Sequence, residues 1–330
     1  MQAWLDYLAT QTLSEAPIGD CAMTDLSHLG LIRVSGDDKL DFLQGQLTND
    51  INRVSPAASQ LSSYCSPKGR MLALFRIVQV GDDLLILLPR ELLESTLKRL
   101  RMFVLRSKVT LEDASGELAR IELSGNCAAD LLPIDPPTSD NGCVSQQGYT
   151  IVRIAGDRPR FLVLATPEDM QALWEEAGQT ATTTARQAWA LLDIRAGIPS
   201  VYQQNTEAFV PQMANLQLLE GVSFTKGCYT GQEVVARMQY LGKLKRRMYR
   251  VKIDTDQPVQ PGTELFSASS DSGQGAGRVV DAAASPDGGY EALVVTQISS
   301  AEANDLQLGD ADGPPLQLLD MPYPFEQAEA

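Results

Sequence analysis

Two hydrophobic periods take turns along this chain, and each switch between them predicts an element. "GLIRVSG" alternates in steps of two and stops at Gly36, a strand; "DDKLDFLQGQL" then sets Leu40, Leu43 and Leu47 on one helical face. "MLALFRIVQV" and "DLLILLP" are apolar runs of strand length, separated by Gly81-Asp82, a hairpin signal. "RELLESTLKRLRMFVL" returns to the helical period and "KVTLED" reads as a strand, so the order is β-α-β-β-α-β.

That order comes a second time. "LARIELSG" leads into "NCAADLL", which resembles a short helix; "YTIVRI" and "RFLVLATP" make the next strand pair. "TPEDMQALWEEAG" is the next helix, with Thr166 as N-cap and Glu168 and Asp169 in its first turn. The Pro/Asp/Gly-rich "LLPIDPPTSDNG" between them is a surface loop. A helix over "TTARQAWALLDIRAG" and an irregular stretch follow. From about Leu244, short strands such as "RRMYRVKI", "GRVVDAA" and "YEALVVTQI" alternate with turn residues. The pattern predicts an α+β protein of two similar α+β units and a small C-terminal β-barrel. The boundaries are 1–115, 116–243 and 244–330, with interleaving of the first two left open.

Composition narrows the class. No apolar run approaches the roughly 18 residues of a membrane span, and the N-terminus lacks a basic start before an apolar core. Five cysteines, odd in number and nowhere spaced C-x-x-C, argue against a disulfide framework or a zinc site and for a reducing cytoplasm. The formal charge of −15 disfavours direct nucleic-acid or anionic-membrane binding. The charge is uneven, however: Lys226 to Lys252 holds eight basic residues and one acid, and Lys98 to Lys108 holds five basic residues and none. Each run is either a solvated face or a local anion site.

The candidate chemistry lies in "FTKGCYTGQEVVARM". Thr230 and Glu233 stand three apart before Val234, Val235 and Met238, a capping-box pattern that predicts a helix from Gly231. Cys228 would then lie just outside the positive end of the helix, with the Lys226 ammonium nearby; both favour thiolate. The competing reading is a buried, inert cysteine. The chain has one histidine, His28, and no G-x-S-x-G, P-loop or H-E-x-x-H motif, so no complete catalytic set accompanies the thiol. "GQGAGR" at Gly273 sits among turns and reads as a turn, not a dinucleotide fingerprint. No metal site is expected, since scattered cysteines poorly support an intrinsic iron–sulfur cluster.

"KGCYTGQEVVAR", "FVPQMANL", "RAGIP", "FLQGQLTNDI" and "YCSPKGRML", in this spacing, resemble the bacterial YgfZ family, folate-binding relatives of the glycine cleavage T-protein (aminomethyltransferase). The resemblance covers almost the whole chain. It implies a three-domain ring around a central folate channel, tetrahydrofolate or a derivative as cofactor, and support of iron–sulfur enzymes that act on tRNA. It assigns Cys228 as the functional thiol, with Lys226 and Glu233 beside it. It also points to Trp189, Leu29, Tyr229, Gln232 and Arg237 for folate binding. Leu29 stands where the family places a second tryptophan, so one aromatic platform is lost. Taken alone, Trp189 reads as a core residue.

T-proteins also carry carboxylates shortly after a Gly-Gly pair, and the matching stretch here, Gly69 to Leu74, has none. Proton transfer at a bound folate needs a positioned acid or base. The expected role is therefore that of an accessory protein without a complete catalytic set of its own; folate-dependent aminomethyl transfer is the alternative.

Overall fold

The computed structural model describes residues 2–14, 19–242, 244–270 and 275–325. Lys243 of the basic run and Gly273 of "GQGAGR" lie outside these. The chain divides into two compact units. Unit 1 takes Met1–Gln46, Asp50–Ser62 and Phe75–Trp189; unit 2 takes Leu47–Asn49, Ser63–Leu74 and Ala190–Ala330.

In chain order the first elements are α1 (Gln2–Leu8), β1 (Cys21–Asp25), β2 (Leu29–Ser35), α2 (Lys39–Gln44), β3 (Gln60–Cys65), β4 (Met71–Val80), β5 (Asp83–Pro89), α3 (Arg90–Arg101) and β6 (Thr110–Asp113). Then come β7 (Ala119–Gly125), β8 (Cys143–Gln146), β9 (Tyr149–Arg153), β10 (Arg160–Ala165), α4 (Pro167–Ala177), β11 (Thr182–Thr184) and α5 (Arg186–Arg195). They build a five-stranded sheet, β3-β4-β5-β2-β6, and a six-stranded one, β11-β1-β7-β10-β9-β8. The sheets share a connectivity: β2-β5-β4-β3 in one matches β7-β10-β9-β8 in the other, and β1 flanks β7 where β6 flanks β2.

Local chemistry explains these elements. Val80 pairs with Asp83 across the Gly81-Asp82 turn, and Gly81 takes the left-handed backbone (φ 59°) that a tight hairpin turn uses. Helix α3 buries Leu92, Leu93, Leu97 and Leu100 on one face, and any side chain at Gly30 of β2 would collide with Leu93. Thr166 caps α4, its hydroxyl accepting from the Asp169 N–H at 3.2 Å. That helix buries Met170, Leu173 and Trp174, and the Trp174 ring meets Trp4 edge-on at 5.5 Å. Between β7 and β10 the buried Arg160 guanidinium donates bidentately to Glu122 at 2.8 and 2.9 Å.

Three local expectations are corrected. Helix α2 ends at Gln44, so Leu47 falls beyond it, and Leu40 is exposed. "NCAADLL" forms successive turns and no helix. Cys21 and Cys127 are disulfide-bonded, with Cα atoms 5.6 Å apart. The antiparallel register sets Cys21 opposite Gly125, which brings Cys127 within reach despite 106 residues of separation.

Unit 2 continues with α6 (Gln232–Tyr240), β12 (Arg246–Ile253), β13 (Glu264–Ser267), β14 (Gly277–Ala284), β15 (Tyr290–Gln297), α7 (Ile298–Ala303), β16 (Leu306–Leu308) and β17 (Leu316–Leu319). Its sheet, β16-β13-β14-β15-β12-β17, is a half-barrel. Its edge strands are successive in sequence and meet at a Gln307–Pro315 bridge. Val251, Ile253, Val279 and Val294 fill its core. Among the described residues no helix is long and apolar enough to cross a membrane.

Candidate functional site

Besides the disulfide pair, the chain has three free thiols, and their surroundings differ sharply. Cys65 and Cys143 are buried, and burial pushes their thiols up to about 12 and about 11. Cys228 is exposed. It sits on a loop of unit 2, and next to it Gly227 has open space where a side chain would project. Solvent and partners can reach this thiol, while the other two stay protonated and covered.

The loop is anchored from both sides of Cys228. On one side Lys226 is buried, and its ammonium donates to the carbonyls of Leu47 (2.6 Å) and Asn49 (3.0 Å) and lies 5.2 Å from the Tyr229 ring. The same short segment takes further bonds from the loop's approach. Thr48 Oγ1 donates to the Gly221 carbonyl at 2.9 Å, and Asn49 Nδ2 donates to that of Glu220 at 2.6 Å. The Lys226 ammonium thus serves as a clamp that neutralises two carbonyl dipoles.

On the other side, helix α6 begins differently from its sequence pattern. Gly231 is the N-cap, in the left-handed conformation (φ 85°), and no side chain caps the helix. The predicted Thr230–Glu233 capping box does not form. The Glu233 carboxylate pairs with Arg237 at 2.6 Å, both side chains well exposed. The reason is steric: a Cβ on Gly231 would collide with the Ser66 carbonyl, and one on Gly69 would come within 2.8 Å of Val234. The Ser66–Gly69 turn and the start of α6 therefore pack backbone against backbone, which only glycines allow.

The remaining residues of the segment divide between core and surface. Tyr229 is buried; desolvation first, and then the neighbouring Cys65, pushes its phenol up. Gln232 is half-buried in the first turn of α6, and Gln212 Nε2 donates to the Val235 carbonyl at 2.6 Å, tying that helix to the "FVPQMANL" stretch. In the Gly69–Leu74 stretch, Arg70 donates to the carbonyls of Glu207 (3.1 Å) and Ala208 (2.7 Å), and Ala73, near which the expected carboxylate is missing, is buried.

Trp189 and Leu29 belong to unit 1. Trp189 is buried on α5, and Leu29, half-buried, opens β2. The ring against Trp189 is His28, at a centroid distance of 4.8 Å and a tilt of 57°. Burial, followed by the charges of Arg186 and Arg120, lowers the His28 pKa from 6.5 to about 3, so the imidazole is neutral. Sequence reasoning missed this contact, although His28 adjoins Leu29, the position already singled out. It also missed the carbonyl clamp of Lys226, for which the sequence carries no signal.

Residues 4–137 match the family described as the GCVT N-terminal domain. The chain is 31% identical over 326 residues to the tRNA-modifying protein YgfZ of Pectobacterium carotovorum, covering 98% of this chain and 96% of that protein. It is 35% identical over 253 residues to the tRNA-modifying protein YgfZ of Colwellia psychrerythraea, covering 76% and 77%. Its fold is similar to that of glycine cleavage system aminomethyltransferase T from Bartonella henselae, with a TM-score of 0.73, 17% identity and coverage of 93% and 86%.

Proposed function

The chain belongs to the YgfZ family, and on that premise we propose that it is a tetrahydrofolate-binding accessory protein that supports tRNA modification by iron–sulfur enzymes through the Cys228 thiol. The observation that carries this reading is the contrast among the thiols: Cys228 alone of the three free ones is exposed, on a loop held by the Lys226 clamp and the Gly231 contact. Glu233 and Arg237 pair on the exposed face of the adjoining helix. Trp189 and Leu29 of unit 1 are assigned to folate.

Aminomethyl transfer is the weaker reading. No acid stands between Gly69 and Leu74, so the carboxylate needed near Ala73 is absent, and Arg70 in that stretch is bound to two backbone carbonyls. The folate half is tested by thermal unfolding with millimolar tetrahydrofolate under anaerobic conditions. A ligand at a hundred times its Kd stabilises the folded state by about 2.7 kcal/mol, so the melting temperature rises by several degrees. An unchanged melting temperature refutes it.

A further inference from the structure

Helix α3 ends in a turn that holds three large apolar side chains out in water. Met102, Phe103 and Leu105 are 59%, 42% and 87% exposed, directly after a helix whose four leucines are all buried. The turn is held by its own hydrogen bonds. The N–H groups of Phe103 and Ser107 donate to the carbonyls of Leu100 (3.0 Å) and Val104 (2.8 Å), and Arg101 Nε donates to that of Leu111 (3.0 Å). At its far end the Lys108 N–H donates to the Asp38 carboxylate at 2.7 Å. Leu105 takes the left-handed backbone (φ 46°), which is sterically costly for a leucine. Neither its backbone nor its burial explains a leucine at this position. Apolar side chains fixed in water by a strained, hydrogen-bonded turn mark a preorganised binding surface.

Charge says what this surface takes. The run from Lys98 to Lys108 carries five basic residues and no acid, on a chain of net charge −15. Lys98, Arg101 and Arg106 are exposed beside the apolar side chains, and Asp37, paired with Lys108 at 3.4 Å, bounds the run on one side. An apolar centre supplied by Met and Phe, with Arg and a rim of mixed charge, is the anatomy of a protein–protein interface. We infer that Met102, Phe103 and Leu105 dock a partner protein, entering an apolar recess whose flanking carboxylates meet Lys98, Arg101 and Arg106. A second copy paired symmetrically would set five basic residues against five. RNA calls for several stacking faces, and Phe103 is the one ring in the run. An anionic bilayer would meet Asp37 and Asp38 at the edge of the patch, and the chain's net negative charge behind it. The inference is independent of the folate and thiol readings.

The test replaces Leu105 of the full chain with the photo-crosslinking residue p-benzoylphenylalanine in its native cell. Mass spectrometry of the joined peptides identifies the adduct. The comparison protein adds Lys98→Glu and Arg106→Glu, and urea unfolding checks that it is folded; Arg106→Glu alone serves, with the same reading, if the pair does not fold. The expected result is a discrete adduct with another protein, joined at a peptide that bears Asp or Glu beside apolar residues. Charge reversal should lower its yield about fivefold or more. An adduct that survives the reversal, an adduct between two copies of the chain, or no adduct overturns the inference. The purified chain is also mixed with vesicles of equal parts phosphatidylcholine and phosphatidylglycerol, and separately with bulk tRNA. Binding to either that Leu105→Asp abolishes gives the patch to lipid or to RNA, and overturns the inference as well.

Discussion

Acidifying the protein from pH 7.5 to 5.0 should destabilise it through His28 alone among the imidazoles, because the chain has no other. The His28 pKa falls from 6.5 to about 3 on folding, through burial and then the Arg186 and Arg120 charges. Below pH 6.5 the unfolded chain therefore takes up a proton that the folded chain refuses. Stability is whole above pH 6.5, declines as pH falls from there to about 3, and changes no further through this group below that. At pH 5.0, which is 1.5 pH units below the unfolded value, the loss is about 2 kcal/mol at 1.36 kcal/mol per unit. The assay is urea unfolding of wild type and His28→Phe at both pH values. Comparing the pH effect between the two proteins cancels carboxylate titration and any fixed cost of the substitution. Wild type should lose about 2 kcal/mol more than the variant across the interval. Equal losses, within about 0.5 kcal/mol, would refute the buried neutral imidazole.

Other substitutions test the remaining contacts. Gly231→Ala should cost more than about 2 kcal/mol in urea unfolding, combining left-handed strain with the clash at the Ser66 carbonyl. Gly227→Ala, which meets nothing within 4 Å, should be close to neutral. Glu122→Gln should cost about 3–5 kcal/mol, because it leaves the buried Arg160 charge uncompensated. Titration with a thiol reagent under non-reducing conditions should find one fast thiol in the folded protein and three after denaturation; a second fast thiol would mean that Cys65 or Cys143 is open.

What the sequence made legible was local. The Gly81-Asp82 hairpin and the Thr166 cap each rest on a few neighbouring residues, and both form as their chemistry dictates. The same capping pattern fails at Thr230 because a distant backbone intrudes. A left-handed Gly231, whose absent Cβ leaves room for the Ser66 carbonyl, starts the helix, and Glu233 pairs with Arg237. Lys226 reads as a cation beside the thiol until the Leu47 and Asn49 carbonyls, nearly 180 residues earlier in the chain, come to meet its ammonium. The Cys21–Cys127 bond and the His28–Trp189 contact are likewise products of strand register and helix placement across more than a hundred residues. Periodicity carries no such information. The cysteine's identity was legible; its exposure, the property that separates it from Cys65 and Cys143, required the fold.

The central claim is that Cys228 serves tRNA modification separately from folate binding. It is tested most directly by replacing the gene in its native cell with Cys228→Ala and quantifying, by mass spectrometry, the tRNA nucleosides made by iron–sulfur enzymes. The purified variant is titrated with tetrahydrofolate alongside. The account predicts a several-fold fall in those nucleosides, with folate affinity within twofold of wild type. Nucleoside levels equal to wild type, with the variant present at normal abundance, would contradict it.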